Sequence, residues 1–204
     1  IDVSGDMTWS GSLSEGTYWV DVSLEGSLSS GPWSPPVVPE TLGDGMQSIG
    51  GGTFAGAGDD FPFELCGEVL STGCNYNNGP FVNGIGNGAG GANTSTIVNG
   101  TLLGYGSQLS IPIRVADDFV LDASVTPDVL IWRHYQTNAP TTGTITDINI
   151  NLWDTDPTLG GVPAQNGPAN SFVSGIWSGA YRVSSTTLTS TGRAIINVTG
   201  DMTW

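Results

Sequence analysis

The sequence predicts an all-β fold, an antiparallel β-sandwich of the jelly-roll or immunoglobulin-like kind with little helix. Three observations favour this class. Apolar and polar residues alternate at period two in several short stretches, which is the spacing of a half-buried strand. Apolar residues at helical spacing are nearly absent. The 204 residues include 31 glycines and 12 prolines, so turn residues interrupt every stretch early.

Strand candidates follow one another along the chain. In residues 17–24 the side chains of Tyr18, Val20, Val22 and Leu24 point to one face, because successive side chains of a strand alternate. The other candidates are residues 61–65, 116–121, 129–135, 146–153, 172–177, 180–186 and 193–199. Residues 30–37 contain three prolines, which cannot donate ladder hydrogen bonds, and are expected to form a stiff loop with Trp33 against the domain.

The two ends of the sequence nearly repeat each other. Residues 196–204 (INVTGDMTW) restate residues 1–9 (IDVSGDMTW) with seven identities and two conservative changes, at an offset of 195 residues. A fixed period of this length is typical of whole domains in a tandem array. The repeat predicts that Met7, Trp9, Met202 and Trp204 contact neighbouring copies.

Two cysteines lie close together, at Cys66 and Cys74. We expect them to form a disulfide, which would stabilise the fold by roughly 2–3 kcal/mol by restricting the unfolded chain. A cross-link between neighbouring copies is the alternative. A disulfide, the absence of lysine and the absence of an apolar run near the roughly 20 residues of a membrane span favour a secreted protein.

The charge is strongly negative. Nineteen acidic residues against four arginines give a net charge of −15, which disfavours nucleic acid and anionic membranes as partners. Three acidic clusters are candidate Ca²⁺ sites, since Ca²⁺ takes carboxylate and carbonyl oxygens. They are Asp59-Asp60, Asp117-Asp118 and Asp154-Thr155-Asp156. The alternative is turn formation by aspartate side chains. No other cofactor is predicted.

Catalysis is not expected. His134 is the only histidine and shares a strand face with Leu130 and Trp132, so a half-buried structural role is predicted. Adjacent Asp117 and Asp118 point to opposite faces and do not make a glycosidase pair. The seven tryptophans are expected mainly in the core or at interfaces, and a sugar-stacking platform is the alternative.

Two sets of motifs resemble a β-sandwich repeat domain of secreted bacterial surface and filament proteins. The first set is residues 78–82 (NGPFV), 88–92 (GAGGA), 105–106, 114–119 (RVADDF), 135–137 (YQT), 142–145 and 152–154 (LWD). The second is residues 16–20 (GTYWV), 30–37 (SGPWSPPV) and 61–63 (FPF). In that domain the first set precedes the second, whereas here the order is reversed. The resemblance implies fold and location but no reaction.

The reversed order and the terminal repeat lead to one expectation. Residues 1–65 are the C-terminal part of one sandwich, residues 66–74 are a junction, and residues 75–204 begin the next sandwich. The function expected is that of a structural repeat unit of an extracellular filament or giant surface protein, whose partner is another copy of itself joined head-to-tail. The alternative is a carbohydrate-binding or adhesive module displayed on such an array.

Overall fold

The computed structural model describes residues 12–39, 42–68, 74–97, 104–159 and 171–202. These residues form β-strands and two short 3₁₀ turns, at Ala89–Gly91 and Pro157–Leu159, and no α-helix. The strands are β1 (Gly16–Gly26), β2 (Trp33–Ser34), β3 (Met46–Ser48), β4 (Ala55–Gly56), β5 (Phe63–Glu68), β6 (Tyr76–Asn77), β7 (Asn93–Ile97), β8 (Tyr105–Gly106), β9 (Arg114–Leu121), β10 (Thr126–His134), β11 (Ile145–Trp153), β12 (Ser171–Ser184) and β13 (Ala194–Asp201).

Two large sheets pack face to face as a sandwich, which confirms the predicted fold class. One sheet has the order β11-β1-β9-β3-β4, and the other has the order β6-β5-β10-β13-β12-β7. A small third sheet pairs β2 with β8. Neighbouring strands run antiparallel except β12 and β7, which are parallel. No helix among the described residues is long and apolar enough to cross a membrane.

The period-two pattern correctly identifies the inward face of the long strands. Tyr18, Val20, Val22 and Leu24 of β1 all lie in the core between the sheets. The equivalent residues of β11 and β13 lie there too: Ile148, Ile150, Leu152, Ala194, Ile196 and Val198. The two candidates at 172–177 and 180–186 are one continuous strand, β12, whose register shifts between Trp177 and Tyr181.

The outer face of the five-stranded sheet is also buried, which the alternation does not predict. Burial extends over seven consecutive residues of β1, so both of its faces are covered. A second apolar cluster lies on this outer face and is separate from the main core. Its members are Trp19, Met46, Phe54, Ala116 and Trp153. The loop between β3 and β4, which carries Phe54, therefore forms an outer layer over part of this face, whereas β3 and β4 themselves belong to the five-stranded sheet.

A buried carboxylate is part of this outer layer. Asp21 is fully buried and lies 3.3 Å from the guanidinium of Arg114. The indole of Trp153 donates to Asp21 Oδ2 at 2.6 Å, and the amide of Asn151 donates to Oδ1 at 2.9 Å. Burial raises the pKa of Asp21, while Arg114 and the two donors act against that shift. The polar group is therefore satisfied within the layer.

Both parts of the sequence contribute to one sandwich within one chain. β1, from the first part, lies between β9 and β11 from the second part. β5 likewise pairs with β10. In the single chain, the described residues of the first part therefore pair within the same molecule, where no second molecule has to be recruited. The expectation that residues 1–65 complete the sandwich of another copy in an array stays a prediction.

The predicted disulfide between Cys66 and Cys74 is present. It joins β5 to the residues just before β6, and these two strands pair antiparallel through Leu65 and Tyr76. The backbone N–H of Asn75 donates to the carbonyl of Leu65 at 2.8 Å. In the single chain the predicted junction is thus the connection of a β-hairpin, and residues 69–73 lie outside the described residues.

A glycine near the end of β13 leads to a specific packing prediction. A Cβ on Gly200 would lie 2.7 Å from Ile150 Cδ1 and 3.1 Å from Ile148 Cγ2, across the core from the opposite sheet. We expect Gly200→Ala to lower the free energy of unfolding by about 1–2 kcal/mol through overpacking. The measurement is chemical denaturation. Gly56→Ala is the matched control, because no atom lies within 4 Å of that Cβ. Equal stability of the two variants would contradict the packing.

Candidate functional site

Three carboxylates from distant parts of the chain meet at one place, which we call the acidic cluster. Asp44, Asp60 and Asp117 each contribute an oxygen, and these oxygens lie within 4.8 Å of one another. Asp44 precedes β3, Asp60 precedes β5, and Asp117 lies within β9. Their exposure decreases from Asp44, which is exposed, to Asp117, which is buried. The cluster therefore runs from the surface into the sandwich.

Asp117 occupies a core position of β9. It pairs with Val20 of β1 and lies between Val115 and Phe119 on the inward face, whereas Asp118 pairs with Trp19 on the other face. The opposite orientation of the two aspartates is what strand alternation predicts. Asp117 accepts hydrogen bonds from the backbone N–H of Phe61 at 2.6 Å and of Asp118 at 3.0 Å.

An amide completes the surroundings of Asp117. The side chain of Asn78 donates to Asp117 Oδ2 at 2.6 Å and to the carbonyl of Phe61 at 3.0 Å. The hydroxyl of Tyr76 in turn donates to Asn78 Oδ1 at 2.7 Å. The buried carboxylate is therefore held in one orientation by Phe61 before β5, Asn78 after β6 and Asp118 of β9.

Two glycines allow the loop of Asp44 to approach. The backbone N–H of Asp44 donates to Asp60 Oδ1 at 3.0 Å. A Cβ on Gly43 would collide with the Asp60 carboxylate, and one on Gly45 would collide with the Asp59 carbonyl. The Gly43-Asp44-Gly45 sequence is thus required by the close contact of two loops. Its pattern is the local signal that could have indicated Asp44, which the sequence analysis missed.

Two carboxylates of the cluster, Asp44 and Asp117, have raised pKa values. Burial, with Asp60 and Asp44 nearby, raises the pKa of Asp117 to about 8, against the lowering effect of its backbone hydrogen bonds. Burial and the charge of Asp60 also raise the pKa of Asp44. Burial, then Asp44 and Asp60, raise the pKa of Asp118. The buried carboxylate of Asp117 can be neutralised either by a proton or by a bound cation.

The acidic cluster has part of the ligand set that Ca²⁺ requires. Calcium takes six to eight oxygens, and three carboxylates plus nearby backbone carbonyls and water are ligands of the right chemistry. A tetrahedral zinc centre fits poorly, because no histidine or cysteine accompanies the carboxylates of the cluster. The donor chemistry of the cluster therefore suits a hard cation such as Ca²⁺.

The structure brings together only two of the six aspartates predicted as ligands, Asp60 and Asp117. Asp59 instead accepts a hydrogen bond from the hydroxyl of Tyr105 at 2.7 Å. Asp156 accepts from the backbone N–H and hydroxyl of Thr158, as the turn interpretation predicts. Asp154 is exposed and outside the cluster.

His134 is more buried than the sequence predicts. Its side chain is fully buried rather than half-buried, on the same inward face as Leu130 and Trp132. Neither ring nitrogen has a hydrogen-bond partner among the described residues. Desolvation lowers the pKa of His134 to about 3, so the ring is neutral in the folded protein at physiological pH.

The tryptophans are mainly structural in the described part of the chain. Trp19, Trp132 and Trp153 are buried, and Trp33 and Trp177 are half-buried. Trp33 lines a groove of about 400 Å³ together with Ile49, Tyr105 and Ile111. Of the residues predicted to contact a neighbouring copy, Met7, Trp9 and Trp204 lie outside the described residues. Met202 is buried in the main core.

Comparison with known proteins identifies no relative. No family model, no curated protein and no solved structure matches this chain. The function is therefore argued from the residues and their arrangement.

The acidic cluster predicts a response to calcium. At pH 7.5, Ca²⁺ at ten times its dissociation constant should stabilise the folded protein by about 1.4 kcal/mol, seen as a higher melting temperature. Asp44→Asn removes one ligand at the exposed end and should abolish the shift. Asp154→Asn is the matched control and should keep it. A calcium shift that persists in Asp44→Asn, or is absent from the native sequence, would rule out this site.

The raised pKa of Asp117 predicts a pH dependence of stability. Its folded value of about 8, against an ordinary value of 3.8, means that the folded protein retains a proton that the unfolded chain releases. Stability therefore falls as the pH rises through 8. From pH 8.5 to pH 6.5 without calcium, we expect a gain of roughly 1–2 kcal/mol.

Thermal melts across this window provide the measurement. Asp117→Asn removes the titrating group and should flatten the profile. His134 acts in the opposite direction and at lower pH. Its depressed folded pKa costs stability as the pH falls below the ordinary value of 6.5. A native profile that rises with pH, or an Asp117→Asn profile of unchanged slope, would show that the cluster is not protonated as described.

Proposed function

We propose that this chain is the structural repeat unit of an extracellular bacterial filament or giant surface protein, in which copies are joined head-to-tail. One observation carries the proposal. The segment that repeats the first nine residues forms most of β13, which lies between β10 and β12 inside the six-stranded sheet. A sequence that occurs twice and is used as a central strand is a structural element of a repeating unit rather than a linker.

The rest of the chain supports a mechanical role. A loop covers part of the outer face of the five-stranded sheet, and aromatic side chains fill the centre of the sandwich, with Phe63 stacked on Trp132 at a centroid distance of 4.9 Å. A disulfide ties β5 to the segment leading into β6. An extracellular location is the compartment in which such a bond persists. The net charge of −15 favours solubility and disfavours binding to nucleic acid.

We do not propose catalysis for this chain. The only histidine is fully buried and neutral, which suits packing better than proton transfer to a substrate. Asp117, the buried aspartate of the acidic cluster, is hydrogen-bonded to the backbone of its own sandwich. Both groups are used inside the fold.

The adhesive alternative has a narrower basis. A sugar-stacking platform needs exposed aromatic faces, and three of the tryptophans considered for it are buried. The groove beside Trp33 is the one part of the described structure that favours it, since Gln47 and Gln108 offer polar groups near an aromatic ring there. We therefore keep the structural role as the conclusion.

The size of the native material tests the proposal. Protein isolated from its source should appear on a reducing, denaturing gel as a ladder or a very large band if the copies are covalently joined. A single band near 21 kDa, the mass of this chain, is compatible with the proposal only if electron microscopy of the undenatured material shows filaments. A 21 kDa band from particles that are monomeric before denaturation would overturn it.

A further inference from the structure

The position of β13 makes specific demands on the strand that fills it. Ile196, Val198 and Met202 are buried in the main core, and Gly200 is buried between them. Val198 pairs with Trp132 and Ile196 with His134 of β10. A larger residue at 200 would meet the side chains of Ile148 and Ile150 in the opposite sheet. The strand thus needs three apolar residues and one glycine at alternate positions.

Residues 1–7 meet each of these demands. Ile1, Val3, Gly5 and Met7 stand at the places of Ile196, Val198, Gly200 and Met202, with no change at any of the four. The two substitutions between the segments, Asp2 for Asn197 and Ser4 for Thr199, fall at alternate positions, where Asn197 and Thr199 are half-buried. The identity of the two segments is therefore complete on the face that packs in the core.

The hydrogen bonds at the end of β13 show that residues 1–7 could occupy the β13 position and still connect to β1. The backbone N–H of Met202 donates to the carbonyl of Asp128 at 2.7 Å. Leu13 and Val125 exchange two backbone hydrogen bonds, of 2.7 and 2.9 Å. Asp128 and Val125 are three residues apart, so the two anchor points are within about 10 Å along the strand.

This proximity has a consequence for the repeated segment. Six residues of extended chain span up to about 20 Å. A Met7 placed where Met202 lies would therefore reach Leu13 of the same sandwich without any movement of Leu13 or β1. The end of β13 at Met202 therefore lies within reach of Leu13, the residue that leads into β1.

We propose that Ile1–Met7 is a second β13 strand, which fills the position between β10 and β12 in place of residues 196–202. In an array of copies the two segments are one and the same, so that a single strand ends one copy and leads into Leu13 of the next. The partner at this position is a second copy of this chain, and residues 13–65 of that copy complete the sandwich. This inference rests on the proposed head-to-tail function.

The count of strands agrees with this arrangement. The 204-residue chain contains two segments, residues 1–7 and 196–202, for the single β13 position. A continuous array with a period of 195 residues contains one such segment for each β13 position. The hairpin between β5 and β6 closes the sandwich in the single chain. In the array the link from Met202 to Leu13 closes it, and residues 66–74 lead on to the next sandwich.

Paired substitutions in the 204-residue chain test the proposal. Val198→Asp places a charge in the core and disables the C-terminal strand, whereas Val3→Asp disables the N-terminal one. If either strand fills the position, each single variant keeps a melting temperature within a few degrees of the native chain. The double variant then loses the cooperative transition. A Val198→Asp chain that is as damaged as the double variant would overturn the proposal.

A cross-link identifies the strand directly. Thr199 pairs with Ile131 in β10, so Ser4 takes that place in the proposed arrangement. Ser4→Cys with Ile131→Cys, in the Val198→Asp background, should form a disulfide on mild oxidation. A product near 21 kDa shows the strand filling its own sandwich, and one of twice that mass shows it filling the sandwich of a second copy. Absence of both products would contradict the proposal. If neither cross-linked product forms but the native material gives a very large band, the strand proposal fails and the repeat-unit function stands. If a product forms but the native protein is monomeric, the repeat-unit function is excluded and the strand proposal stands.

Discussion

The structure depends on the pairing of β1 with both β9 and β11. β1 attaches the first third of the chain to the five-stranded sheet, as β5 attaches it to the other sheet, and β1 is buried on both faces. Its inward residues fill the core, while Trp19 and Asp21 anchor the outer layer. Without this strand, the five-stranded sheet would be split between β11 and β9. β9 carries Ala116 of the outer apolar cluster and Asp117 of the acidic cluster, so both clusters depend on the pairing that holds β9 in place.

The same pairing explains why the single chain forms a whole sandwich. The sequence motifs stand in the reverse of the order expected from the resemblance, yet every long strand finds a neighbour within the chain. A fold tolerates a reversed order of its two parts when the chain ends lie close together, because the chain can then be connected there and opened elsewhere without a change in strand packing. Here the two places are the hairpin of β5 and β6 and the approach of Met202 to Leu13.

Sequence reasoning succeeded where a pattern is long enough to repeat itself. β1, β11 and β13 show several periods of alternation, and their inward residues are those predicted. β2, β3, β4, β6 and β8 have two or three residues each, too few to show any period. β3 and β6 pair with the long strands β9 and β5, whereas β4 pairs with β3 and β2 pairs with β8, so these strands depend on tertiary packing. The outer cluster was therefore not predictable, since Met46 and Phe54 become core residues only by covering Trp19 and Trp153.

The acidic cluster shows the same limit. Asp60 and Asp117 were candidates because each belongs to a local pair of aspartates, and Asp44 was not, because its partners come from other segments. Spacing along the chain carries no information about carboxylates that meet through tertiary packing. What the sequence does contain is the pair of glycines beside Asp44, whose missing side chains leave room for Asp60 and for the backbone of Asp59.

The disulfide between Cys66 and Cys74 has a consequence for a chain under tension. A pulling force transmitted along the polypeptide passes from one sulfur to the other, so the seven residues between them carry no load. Those residues add no slack to a stretched protein while the bond is intact. Reduction would release them as extra length, so the extensibility of a string of such units would depend on the redox state of its surroundings.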